Sequence, residues 1–132
     1  MLSILEQKNF ASYQDQINPL ALPPDTDLHL SEAVNDQHEV MGWILYAYEP
    51  EQVQIYAMED HQDWNYCDGL VRSVLFKAQL RGLNKAEFHI TDPSIRERLV
   101  KLHFVKTDQN IIYDIMDIME NCKKCKENPA NT

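Results

Sequence analysis

The chain has 132 residues, 44% of them apolar, and a formal net charge of −9, which suits one domain with a single buried core and makes extended nucleic acid an unsuitable partner. Its longest unbroken apolar stretch, Trp43 to Tyr48, is far shorter than the roughly 20 residues that cross a bilayer, and the amino terminus lacks the pattern of a signal peptide, so a cytoplasmic chain with no membrane partner is expected. Three cysteines, an odd number, argue for reduced thiols over a disulfide framework.

The charge is unevenly spread. Residues 1–65 hold 12 acids and one base, Lys8, whereas residues 66–132 hold nine acids and 11 bases. The acidic half favours cationic ligands, and the bases between Arg72 and Lys106 favour a phosphorylated one. A plain soluble acidic surface is the alternative.

Leu5, Phe10, Tyr13 and Ile17 recur at helical spacing, so residues 4–17 read as a first helix that Asn18-Pro19 closes. Pro19, Pro23 and Pro24 make residues 18–27 a connector, and Leu28-His29-Leu30 with Ala33-Val34 reads as an edge strand. Val40 to Tyr48, the turn at Glu49-Pro50-Glu51, and the alternation of Val53, Ile55 and Ala57 form a β-hairpin. Leu70, Val71, Val74, Leu75 and Ala78 then make one helical stripe that stops at Gly82, predicting a helix over 66–81. Ala86 to Ile90 is a strand. Asp92-Pro93 supplies an N-cap and first helical residue, and Ile95, Leu99 and Leu102 line a helix ending near His103. Ile111 to Ile118 is mostly apolar, which suits a buried strand, preferred here, or a helix. Residues 1–120 are one domain and 121–132 a Lys-rich tail.

The fold class is therefore α/β (α+β), with a β-α-β-α-β second half and helices on both faces. Successive strand-helix-strand units imply parallel pairing, with ligands at the carboxyl ends of the strands. The loop from Met58 to Asp68 lies at that edge and leads into a helix amino terminus, whose free amides suit phosphate.

This order, with Met41-Gly42-Trp43-Ile44 in a glycine-containing strand, resembles the GNAT family of Gcn5-related N-acetyltransferases over about residues 28–118. The family holds the pyrophosphate of acetyl-coenzyme A with a Gln/Arg-x-x-Gly-x-Gly/Ala loop, which corresponds to Tyr66-Cys67-Asp68-Gly69-Leu70-Val71. Gly69 matches, Tyr66 and Val71 depart from the pattern, and Asp68 adds a negative charge. The family's Tyr-x-x-Leu-Gly-Phe ending corresponds to residues 99–104, where Leu102 and Phe104 match and Leu99 stands in place of the tyrosine.

The resemblance implies acetyl-coenzyme A, or another acyl-coenzyme A, as cofactor, bound by Ala57 and Met58 through their main chain and by Tyr66 to Val71. Arg72 would reach the pyrophosphate, or else lie along the solvated helix face. Acyl transfer needs a base for the amine and a proton for the departing thiolate. Glu59 is the candidate base, set against a plain solvated loop. Tyr113 is the candidate acid, with Tyr66 a second phenol, and both also suit packing. The acceptor would be a small or peptide amine, cationic and drawn by the acidic half, and a homodimer is compatible with the reading. A non-catalytic GNAT-like domain that uses the altered cleft for another ligand or protein is the rival.

Cys122-Lys123-Lys124-Cys125 lacks the second pair of a structural zinc site, Cys67 reads as a small buried side chain, and the five histidines show no ligand spacing, so no metal is expected.

Overall fold

The computed structural model describes residues 2–120. Its elements are β1 (Ser3–Gln7), α1 (Gln14–Ile17), β2 (Leu28–Val34), β3 (Val40–Tyr48), β4 (Val53–Glu59), α2 (Trp64–Leu80), β5 (Ala86–Phe88), α3 (Pro93–Lys101) and β6 (Ile111–Ile112), with single 3-10 turns at Ala11–Tyr13 and Asn18–Leu20 flanking α1. The six strands form one mixed sheet in chain order, antiparallel throughout except for the parallel β4–β5 pair. The second half is β-α-β-α-β, as expected.

One face of the sheet carries Ala33, Ile44, Tyr46, Val53, Ile55 and Met58, which pack with Cys67, Leu70, Val71, Val74, Leu75 and Ala78 of α2 and with Ile95 and Leu99 of α3. The α2 residues recur at i, i+3, i+4 and i+7, so one stripe of the helix is wholly inside. On the opposite face, Tyr13 lies edge-on to Trp43 at 5.5 Å between ring centroids and donates to Glu32. The turns around α1 therefore cover β2 and β3, and both faces bear helices.

Three departures from the sequence reading have local causes. Residues 3–7 are a strand, paired in register from Ser3↔Val34 to Gln7↔Leu30. Ile4 faces inward while Leu5 is 47% exposed, and this alternation of period two prevails over the looser helical spacing. β2 is consequently an interior strand, and β1 takes the sheet edge. The apolar run from Ile111 is the third case: only two residues pair as β6, antiparallel to β5, and residues 115–120 are helical. Asp114 makes the change, its Oδ1 accepting from the Asp117 amide at 3.2 Å and from Asn84 Nδ2 at 3.0 Å, in the manner of an N-cap.

Both long helices end in a left-handed residue. After α2 this is Gly82, at φ 79°, with its amide bonded to Gln79 O and that of Leu83 to Ala78 O. After α3 the same two bonds run from His103 to Val100 O and from Phe104 to Leu99 O, but the left-handed residue is His103, at φ 69°. A side chain there costs roughly 1–2 kcal/mol that glycine avoids. We expect His103→Gly to raise unfolding stability by about 1 kcal/mol, part of the relief being offset by the freer unfolded chain. Urea denaturation checks this, and a loss of stability would mean that the His103 side chain is itself bound in place.

Candidate functional site

β4 and β5 run side by side for three residues, Val53↔Ala86, Gln54↔Glu87 and Ile55↔Phe88, and the His89 amide adds a last bond to Ile55 O at 2.8 Å. There β5 stops, while β4 continues to Glu59 against β3 alone. The pairing with β3 slips at the same height: Tyr46 faces Ile55 and Leu45 faces Ala57, leaving Tyr56 as an extra, bulged residue. A bulge beside a strand that loses its neighbour opens a gap between β4 and β5, rimmed by main chain.

Of the residues anticipated in the sequence, Ala57, Met58 and Glu59 border this gap. Ala57 is half-buried opposite Leu45, and Met58 sits in the core opposite Ile44. Glu59 stands at the mouth, its side chain 43% exposed, with Oε2 accepting the His61 amide at 2.8 Å. Gly42 faces it across the sheet, and a Cβ on Gly42 would come within 2.6 Å of Glu59 O, so only glycine lets β3 approach this closely.

Tyr66 to Val71, matched to the family's pyrophosphate loop, lie with Arg72 inside α2, which begins at Trp64, two residues before the helix start that the apolar stripe predicts. The cause is Asp63, an N-cap whose Oδ1 accepts from Asn65 N at 2.8 Å and Tyr66 N at 3.0 Å; an Asp at this position starts a helix. Cys67, Leu70 and Val71 are 0% exposed, and a Cβ on Gly69 would lie 3.8 Å from Ile4 Cδ1. Tyr66 is half-buried in the first turn, and Asp68 accepts from Arg72 Nε at 2.8 Å. The Arg72 guanidinium also lies 5.4 Å from the Phe104 ring centroid.

Tyr113 is at the other end of the sheet. Because β6 runs antiparallel to β5, the chain leaves Ile112 beyond Ala86, the first residue of β5, and the Tyr113 ring lies 5.5 Å from Lys85 Nζ. Glu59 and Tyr113 are therefore not brought together, contrary to the parallel strand expected from the sequence. Cys122 and Cys125 lie outside the described residues.

Sequence reasoning missed the group that closes the bottom of the gap. Asp60, 0% exposed, holds Arg98 of α3 through two bonds, Nε to Oδ2 at 2.6 Å and Nη2 to Oδ1 at 2.7 Å, while Arg98 Nη1 donates to Ser94 Oγ at 2.8 Å. The hydrogen bond to Asp60 raises the Arg98 pKa above its ordinary value against the opposing pull of burial. Nothing in the local sequence pairs residues 38 apart.

Between Asp60 and α2 the chain turns through two left-handed residues, His61 at φ 49° and Gln62 at φ 60°. Carboxylates hold this strained turn: Glu59 takes the His61 amide, Asp60 Oδ1 takes that of Gln62 at 3.0 Å, and Asp63 takes the next two described above. The amides of a helix entrance that would suit an anion are thus already bonded to the chain's own anions.

A buried pair of this kind costs about 3–5 kcal/mol when one partner is removed, because the other charge is stranded. Arg98→Met or Asp60→Ala should lose that amount in urea unfolding, and Asp60→Leu combined with Arg98→Met should recover most of it. Single variants as stable as the parent would show that solvent reaches the site.

Burial, reinforced by the charge of Asp60, pushes the Cys67 thiol from 9.0 up to about 12, and burial likewise moves Tyr46 and Tyr48 from 10.0 to about 12. A raised folded-state pKa means that the unfolded chain ionises first. Stability is then fully present below about pH 9 and falls as pH rises toward 12. Cys67→Ala should delay the onset of that fall to near pH 10, where the phenols begin to ionise. An unchanged onset in unfolding midpoints measured from pH 8 to 12 would remove the thiol from this account.

No family model matches the chain, and no curated protein matches it. Solved structures do. A protein of Pyrococcus furiosus described as an acetyltransferase aligns with a TM-score of 0.56 at 14% identity, covering 76% of this chain and 91% of its own. A protein of Desulfovibrio desulfuricans described as a GNAT-family acetyltransferase gives 0.50 at 12% identity, covering 67% and 72%. A chain of the KacTA–DNA complex gives 0.58 at 13% identity, covering 94% and 99%. At these identities the likeness concerns the fold, and the chain has a GNAT-like fold.

Proposed function

We propose that the chain is an acyl-coenzyme A-dependent N-acyltransferase acting at the β4–β5 gap. The observation that carries this reading is the coincidence, within a GNAT-like sheet, of the Tyr56 bulge with the end of β4–β5 pairing. Ala57 and Met58 pair with β3 on one side and have no strand on the side where β5 has ended. Amides held rigidly at such an edge can bond the thioester oxygen as it gains charge, and the remainder of the edge can bond an extended acyl-pantetheine arm. Glu59, at the mouth, favours approach of a cationic amine, in keeping with the acidic first half.

The chemistry is simple to balance. A cationic amine first gives up one proton, its nitrogen then attacks the thioester carbon, a C–N bond forms as the C–S bond breaks, and the second proton that leaves the nitrogen is matched by the one the thiolate gains.

A second reading, a non-catalytic GNAT-like domain that binds another ligand or protein in the same cleft, is favoured by one observation. The carboxylates of Glu59, Asp60 and Asp63 occupy the amides at the entrance to α2, and like charge repels a pyrophosphate. Thermal unfolding with acetyl-coenzyme A separates the two. A ligand at 100 times its Kd stabilises by about 2.7 kcal/mol, and a corresponding rise in midpoint is expected. If the pyrophosphate gains little at α2, S-acetylpantetheine should give nearly the same rise. A flat response to both at millimolar concentration rejects the enzyme and leaves the binding domain.

A further inference from the structure

At the apex of the gap, on the sheet face opposite α2, three side chains form a relay that the sequence reading did not connect. Glu49, in the β3–β4 turn, accepts from Gln54 Nε2 at 3.1 Å, and Gln54 Oε1 meets His89 Nε2 at 2.5 Å. Gln54 is only 6% exposed, so its amide is held from both ends. The His89 ring stacks on Tyr56, the bulged residue, at 5.2 Å and 21°. His89 also makes the last main-chain bond between the two strands.

The direction of the relay follows from hydrogen-bond chemistry. An ionised carboxylate only accepts, so the Gln54 NH2 must point to Glu49, and its carbonyl oxygen must point to His89. Nε2 is then the nitrogen that carries hydrogen. Nδ1 keeps the lone pair, and among the described residues no hydrogen bond to it is recorded. An imidazole oriented by a buried partner, with its free nitrogen beside the point where two strands part, has the arrangement of a general base. The His89 side chain is 43% exposed, and a substrate can reach it. Glu59 is less suited to the task, since one of its oxygens is already bonded to a main-chain amide.

We infer that His89 Nδ1 takes the proton from the acceptor amine, and that Gln54 and Glu49 are positioning residues that fix its tautomer. This rests on the acyltransferase reading. The acceptor ammonium gives one proton to Nδ1, the neutral nitrogen attacks the thioester carbon, and as the C–S bond breaks the imidazolium protonates the departing thiolate while the nitrogen releases its second proton to solvent. The charged and titratable groups facing His89 are Glu87 on its own strand, 3.9 Å from Nε2, Tyr56 and Gln54 on β4, and Glu49 beyond Gln54. All of these lie on the Nε2 side or against the ring face.

The test uses the whole chain with acetyl-coenzyme A and a panel of polyamines and lysine peptides. The expected result for His89→Gln is a loss of about 100-fold in kcat/KM at neutral pH, together with loss of the rising limb of the pH profile. Rate should be restored when the acceptor is hydroxylamine, which is already neutral and needs no base before it attacks. Gln54→Leu should lower kcat with little change in KM, and nitrogen-15 imidazole shifts should show Nε2–H in the parent but a mixture of tautomers in Gln54→Leu. An active parent with a fully active His89→Gln, or with an Nδ1–H tautomer, overturns the role of His89 while leaving the acyltransferase standing. A parent inactive with every acceptor overturns both, and is recognised by the silence of the parent itself.

Discussion

The Asp60–Arg98 pair ties together the three elements on which everything else at the gap depends. Asp60 directly follows β4 and leads into the turn before α2, and Arg98 lies midway along α3. Two parallel bonds from a planar guanidinium fix angle as well as distance, so α3 cannot slide or rotate against β4 without breaking both. Pairs of this kind add little stability over a well-packed apolar contact. What this one provides is geometry. It holds β4 and α3 in place where no strand pairing joins β4 to β5, and it anchors the carboxylate that steadies the His61–Gln62 turn.

The division of charge along the chain has an explanation in the fold. Arg98, Lys77 and Arg81 are bases of the second half, and they meet Asp60, Glu6 and Asp27 of the first. His29 lies between Glu6 and Asp27, at 2.9 Å from each, and Arg81 stacks over Tyr48 at 3.7 Å from its centroid. The partly exposed pairs are individually worth well under 1 kcal/mol. Together they form a seam between the end of α2 and the first strands. Part of the asymmetry that suggests two external partners is therefore one half of the molecule facing the other.

The elements with strong periodicity or caps were legible: the β3–β4 hairpin, the buried stripe of α2, and Asp92-Pro93 before α3. β1 was not, because five residues with one inward apolar side chain carry little signal against a helical spacing that extends to Ile17. The short β6 depended on Asp114, whose capping bond outweighs the apolar run around it. At the site, Ala57 to Glu59 fall at the end of a strand that the alternation of Val53, Ile55 and Ala57 already marks, whereas the apolar stripe of α2 puts the helix start two residues late because the Asp63 cap lies ahead of it. The Asp60–Arg98 bond and the Glu49–Gln54–His89 relay join residues that only the closed sheet brings together, and no local pattern announces them.

Among the described residues, β1 occupies the edge of the sheet with no strand on its outer side and Leu5 exposed beside it. An open edge of this sort is a template for another strand. What opposes such pairing here is mutual repulsion between like molecules carrying a net charge of −9. That protection is colloidal and is not built into the strand, so it disappears as the carboxylates are neutralised. Near the isoelectric point of about 4.9, the molecules approach one another freely, and the first five-residue strand becomes the natural seam of self-association.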